Sequence, residues 1–127
     1  MREIKAVDFD IVKQCGFKPF SHTVEFVYDP KDTWYAYCVD GNIAAVISVS
    51  QKHGGMYIGV VYTDYPYRRK GIAEKLIRFV TEVLYPDSVF VTHALVTSKR
   101  IFEKCGFEHY RTVAFKYGTQ YFMRLER

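Results

Sequence analysis

The stretch Tyr67 to Phe79, YRRKGIAEKLIRF, sets three cations, Arg68, Arg69 and Lys70, immediately before Gly71. The residues after Gly71 have helical spacing, so the cations stand where a helix begins. A helix N-terminus carries partial positive charge and unpaired N–H groups, and it prefers Asp or Glu. Three cations there need an anionic partner. A strand, a glycine-bearing loop and a helix start together point several backbone N–H groups at one spot, which favours phosphate or pyrophosphate. Gly71 has no side chain to block a close approach. From Pro66 to Arg78 there are five cations against one acid, Glu74, and the resulting +4 equals the net charge of the whole chain. Charge concentrated in this way suits a local anion site better than a surface that follows a nucleic-acid backbone. Solvated surface charge beside a turn glycine is the competing account of the same residues.

Other chemistries find less support. There is no G-x-x-x-x-G-K-[ST] loop for a nucleoside triphosphate and no G-x-G-x-x-G for a dinucleotide. Cys15, Cys38 and Cys105 are odd in number and far apart, as reduced thiols of a cytosolic protein would be. His22, His53, His93 and His109 share no zinc-ligand spacing with them, so no metal is expected. No apolar run is long enough to span a membrane, and the N-terminal MREIKAVDFD lacks the apolar stretch of a secretory signal. A chain of 127 residues with 49% apolar content is sized for one compact domain, here residues 1–127, and a cytoplasmic location is expected.

The elements that must carry the loop can be read from periodicity. REIKAV reads as a strand, and Asp8 caps a brief helix FDIVKQC that Gly16 and Pro19 stop. TVEFVY is strand-like, with a turn at Asp29-Pro30. Thr33–Val39, Asn42–Ser50 and Met56–Thr63 form an antiparallel meander, with Asp40-Gly41 as a tight hairpin turn. Ile72, Leu76, Phe79, Val80 and Val83 make one apolar helical stripe that Pro86 closes. Ser88–Val96 is a strand with apolar content suited to burial on both faces. Thr97 caps a helix SKRIFEKC; Gly106 is its left-handed stop, bringing Phe107 onto Phe102. Two strands around Tyr117-Gly118 finish the chain. The order β-α-βββ-α-β-α-ββ describes an α/β sandwich about a mixed sheet, in which a strand–helix–strand crossover permits one parallel pair.

Two motifs then carry a resemblance. YRRKGIA, through Arg68, Gly71 and Ala73, matches the (Q/R)-x-x-G-x-(G/A) acetyl-CoA signature of the GNAT superfamily of N-acetyltransferases, and SKRIFEKCGF resembles that family's A-x-x-x-Y-x-x-x-G-F helix at the usual separation. The resemblance covers Trp34 to Leu125. It implies a mixed, mostly antiparallel sheet flanked by helices in a three-layer sandwich, with a splayed pair of parallel strands. It also implies acetyl-CoA as cofactor and an amine as acceptor. Val61, Tyr62 and Thr63 would line the pantetheine, one N–H there polarising the thioester carbonyl. Amides from Arg69 through Lys70, Gly71 and Ile72 to Ala73 would hold the pyrophosphate, with Arg68 adding charge. Ser98 would offer the pantetheine a hydroxyl.

The chain departs from the family pattern where a general-acid Tyr is often found, because Phe102 stands there, and Leu95 replaces a frequent Asn. Phe cannot donate a proton. His93, near the end of the strand bordering the cleft, is the candidate base because an imidazole titrates near neutrality. A His satisfied by its strand neighbours is the competing account. A tyrosine hydroxyl is a poor base near neutrality unless its environment perturbs it, which makes Tyr62 a weaker candidate, and Asp64 suits a turn. About thirty residues precede Thr33, where the family commonly has two helices, which suggests a shortened wall and an open acceptor cleft. Tyr28, Trp34, Tyr35, Tyr37 and Tyr57 are candidates to stack on an acceptor, with core packing preferred for most. Three readings result: an N-acetyltransferase; a silent acyl-CoA-binding or protein-interaction module, favoured by Phe102 and Leu95; and a nucleic-acid-modifying protein. A homodimer through an edge strand is compatible with the sequence.

Overall fold

A computed structural model describes residues 1–15, 31–116 and 118–126. The expected stop at Gly16 and Pro19, the strand-like TVEFVY with Asp29-Pro30, and Tyr28 and Tyr117 lie outside these residues. The elements keep the expected order: β1 (Arg2–Val7), α1 (Phe9–Gln14), β2 (Thr33–Val39), β3 (Asn42–Lys52), β4 (Gly55–Thr63), α2 (Ile72–Arg78), β5 (Phe90–Ala94), α3 (Val96–Lys104), β6 (Glu108–Phe115) and β7 (Gly118–Leu125). A 3₁₀ turn, Tyr65–Tyr67, leads toward α2, and a π turn, Phe79–Leu84, prolongs α2. Among the described residues no helix is long and apolar enough to cross a membrane.

The strands form one seven-stranded sheet in the order β1-β2-β3-β4-β5-β7-β6. Every neighbouring pair is antiparallel except β4–β5, which the α2 crossover makes parallel. Two tight turns set the meander's register. Asp40 and Gly41 have φ of 50° and 84°, and His53 and Gly54 have 58° and 85°, so both turns have the doubly positive φ that matches strand twist.

Alternation along the strands sorts the core into two layers. Ile47, Ile58, Phe90 and Met123 face α2 and α3 and pack with Leu76, Val80 and Phe102. Trp34, Ala36, Val46 and Tyr62 face the other way and pack with Val12 of α1.

Three local expectations change. Val83 is 62% exposed, because the π turn adds a residue to the helical repeat and rotates it out of the stripe. The Tyr85 N–H accordingly reaches five residues back to the Val80 carbonyl, at 3.1 Å. The strand expected over Ser88–Val96 is shorter, Phe90–Ala94. Thr97 is not the cap of α3: the helix starts from Leu95, whose N–H donates to the Ser98 hydroxyl at 3.2 Å. The N-terminus of α1 falls at Asp8 as expected, though without a side-chain capping bond.

The stop of α3 has the expected geometry. Gly106 has φ 93°, its N–H donates to Glu103 and the Phe107 N–H donates to the Phe102 carbonyl at 3.0 Å. The rings of Phe102 and Phe107 meet edge to face with centroids 5.1 Å apart.

Candidate active site between β4 and β5

The parallel ladder is short. It joins Met56 to Phe90, Tyr57 to Val91 and Ile58 to Thr92. At its last rung the buried Thr92 hydroxyl donates to the Ile58 carbonyl at 2.9 Å. Beyond that bond β4 continues beside β3, with Val61, Tyr62 and Thr63 opposite Ile47, Val46 and Ala45, while β5 continues beside β7. The divergence has a cause within β4. The register shifts so that Gly59 and Val60 together oppose Ser48, whose buried hydroxyl accepts the Val60 N–H at 2.9 Å. A bulge bends its strand and increases its twist. A Cβ on Gly59 would lie 3.1 Å from the Ser48 oxygen, so the small residue belongs to the bulge. These three residues, Ser48, Gly59 and Thr92, were not among the expected site residues. A lone glycine inside a strand was the legible signal for one of them.

Past the splay, β4 runs through a 3₁₀ turn into the Gly71 loop. The Asp64 carboxylate accepts the Tyr65 N–H at 3.0 Å and its own N–H donates to the Ala44 carbonyl, so Asp64 fastens the turn. Arg68 folds back: its Nε donates to the Thr63 carbonyl at 2.9 Å, and its guanidinium lies over the Tyr62 and Tyr65 rings at 5.5 and 5.6 Å. Arg69 and Lys70 stand exposed. Arg69 and Gly71 both have positive φ, 65° and 73°. Ile72, 2% exposed, pins the first helical residue into the core, and the Lys75 N–H donates to the Gly71 carbonyl. Apart from the backbone around it in the chain, no heavy atom of the described residues lies within 4 Å of the position a Cβ on Gly71 would take. Gly71 thus serves the turn by its conformation, and the space it leaves is open to a ligand. Ala73 comes next in the first turn of α2.

The cation group is narrower than the sequence implied. Arg78 pairs with Glu74 and Glu82, each at 3.2 Å, and donates to the Lys104 carbonyl at 2.6 Å, tying α2 to the end of α3. Its charge serves the helices.

His93 is the first β5 residue after the Thr92 lock, on the face turned away from α2 and α3. Its ring stacks on Phe122 with centroids 3.9 Å apart, and lies 5.1 Å from both Tyr57 and His53. Burial, then the neighbouring His53 and Lys52, hold its pKa below the ordinary imidazole value, which favours the neutral ring. Tyr57 is pushed up by burial and then by Asp32. Tyr62, 5% exposed, lies in the α1-side core. Ser98 both accepts from and donates to Leu95, its hydroxyl serving the start of α3. Phe102, 3% exposed, is part of the helix-side core. Of the aromatics considered for an acceptor, Trp34 and Tyr37 are core residues, and Tyr35 shares a 2.8 Å hydroxyl contact with Tyr85. Tyr57 alone among the described members of that set lies against His93. Cys15, Cys38 and Cys105 are free, and burial raises the pKa of each, that of Cys105 to about 11, which favours the protonated thiol.

Comparison with known proteins agrees with this geometry. Solved structures of similar shape include the IAA acetyltransferase from Bacillus cereus ATCC 14579 (TM-score 0.78, 16% identity, all of both chains covered). Arabidopsis thaliana Naa50 in complex with the bisubstrate analogue CoA-Ac-MVNAL is another (TM-score 0.74, 17% identity, 99% of each chain). A third is a streptothricin acetyltransferase, so described, from Bacillus anthracis str. Ames in complex with acetyl coenzyme A (TM-score 0.72, 15% identity, 100% of this chain and 99% of that one). No curated protein sequence matches the chain. The sequence profile of the acetyltransferase (GNAT) domain matches residues 11–125, nearly the full length. With its bulged β4, its single parallel pair and the Gly71 turn at the mouth of the splay, this chain belongs to the GNAT acetyltransferase family.

Proposed function

We propose that the protein is an acetyl-CoA-dependent N-acetyltransferase in which an amine attacks the acyl group directly. The reading is carried by two features that the chain joins directly, one at each end of the segment after the splay. The left-handed Gly71 turn leaves open space at the start of α2, and the Thr92–Ile58 bond marks where β4 and β5 part. A long, narrow ligand with an anionic middle suits that arrangement, and the residues present fit acetyl-CoA.

Bound acetyl-CoA supplies an activated acyl thioester. The backbone amides from Arg69 to Ala73 receive the pyrophosphate, with Arg69 and Lys70 adding charge-assisted contacts. Arg68 braces the loop through Thr63 and the Tyr62 ring. Val61, Tyr62 and Thr63 would present backbone to the pantetheine, and an N–H from this stretch would polarise the acyl carbonyl. Holding both reactants in the cleft accounts for much of the rate. His93, with its neutral form favoured, takes the proton from the acceptor ammonium. Phe102 has no proton to give, so a thiolate leaving here would take its proton from water or another group, or leave unprotonated.

One observation favours a second reading, a silent acyl-CoA-binding module. Phe102 is sealed in the core where relatives often carry an acid, and Leu95 replaces a polar residue nearby. Release of free thiol from acetyl-CoA across a panel of primary amines separates the two. The panel starts with peptide N-termini, because the Arabidopsis relative is held with a peptide-bearing analogue. The enzyme reading expects amine-dependent thiol release from at least one acceptor class. Binding of acetyl-CoA with no release from any amine would leave the silent module.

A further inference from the structure

We propose that His53 is the outlet of the base: it takes from His93 the proton that His93 removes from the acceptor amine and hands it to solvent. The inference rests on the N-acetyltransferase reading above. In each turnover an ammonium N–H bond breaks and a ring N–H forms on His93. The other ring proton of His93 then moves to His53, and His53 loses a proton to water; both rings end neutral in the swapped tautomer, and proton exchange with water through His53 restores the starting tautomers before the next turnover.

Geometry is the first support. His93 has one face covered by Phe122 and an edge against Tyr57, which leaves few ways for a proton to depart. The His53 ring, its centroid 5.1 Å from that of His93, is exposed, so the half-buried imidazole is in contact with one that faces solvent. His53 also touches Tyr57 at 4.8 Å, so three rings form one continuous group from cleft to surface.

Backbone placement is the second. His53 occupies a two-residue turn with φ 58°, closed by the Lys52–Gly55 pair. Few side chains accept positive φ, although His is among the better ones. An exposed ring gains little from packing there, whereas a turn this tight fixes its position.

Electrostatics is the third. Around the pair, Lys52 lies over Tyr57 at 5.0 Å, Arg111 over Phe122 at 5.6 Å and Arg124 over Tyr110 at 5.3 Å. Against these stand Asp32, which acts on Tyr57, and Glu126, which is paired with Arg124. Burial first, then His53 and Lys52, keep a proton from settling on His93, so it is passed on rather than held.

The test is His53→Asn, since Asn tolerates the turn. Histidine ring-proton NMR on the protein alone should show the His93 midpoint rising in the variant, because one positive neighbour is gone. Thiol release from acetyl-CoA, with the amine that wild type uses fastest, should fall roughly tenfold and recover when imidazole is added to the buffer. The acetyl-CoA-induced thermal shift should not change. An unchanged His93 midpoint with unchanged turnover overturns the relay, and so does a loss of turnover that imidazole leaves untouched. Wild type inert toward every amine overturns the enzyme reading and the relay with it; an active wild type matched by the variant overturns the relay alone.

Discussion

At His93, packing and charge act in the same direction. Phe122 covers one face, His53 and Lys52 oppose the cation, and the pKa falls below the ordinary value of 6.5. Between the folded and unfolded values the unfolded chain binds a proton that the folded chain does not. The stability due to this residue is therefore fully present above the ordinary value and lost as pH falls through the folded one. Urea midpoints measured from about pH 7 down to about pH 5 should decline, and His93→Gln should decline less steeply. Parallel declines would show that His93 pays no desolvation cost when charged. The residue's type and strand were legible in the sequence. Its partners were not, because His53, Tyr57 and Phe122 come from three other segments, and only the fold brings their rings together.

The elements show where local signals suffice. Gly106 was readable as a helix stop because a left-handed residue after an apolar helix has few alternatives to glycine. Its φ of 93°, and the 3.2 Å that would separate an added Cβ from the Leu125 side chain, make Gly106→Ala costly. A loss of about 1–2 kcal/mol in a denaturant titration is expected from the left-handed backbone alone. A variant as stable as wild type would mean that α3 ends without the Phe107–Phe102 bond. Helix α2 shows where such signals fail. Its stripe assumed a uniform 3.6-residue period, and the π turn from Phe79 put Val83 in solvent instead. Arg78 looked like part of an anion site by counting charge, although Glu74 and Glu82 at i−4 and i+4 were placed to claim it.

Across the whole molecule, a parallel pair is stitched for three residues and then opened by a bulge, and the Gly71 loop lies past the end of the opening strand. Element order and the crossover were legible because periodicity changes sharply at Gly71. The opening was less so, since it depends on Ser48 and Thr92, two ordinary strand residues whose hydroxyls act only after the strands have paired. The central claim is that this opening and the Gly71 turn hold acetyl-CoA. It is tested most directly by thermal unfolding with increasing acetyl-CoA for wild type, Gly71→Asp and Gly71→Asn. Asp and Asn both tolerate positive φ and differ in charge, so without ligand Gly71→Asp should melt no lower than Gly71→Asn, its carboxylate being favoured by the start of α2 and the neighbouring cations. Wild type should rise steadily with ligand by mass action, while Gly71→Asp, with a carboxylate at the pyrophosphate position, should not respond. A wild type indifferent to acetyl-CoA, or a Gly71→Asp variant that rises as far as wild type, would contradict the account.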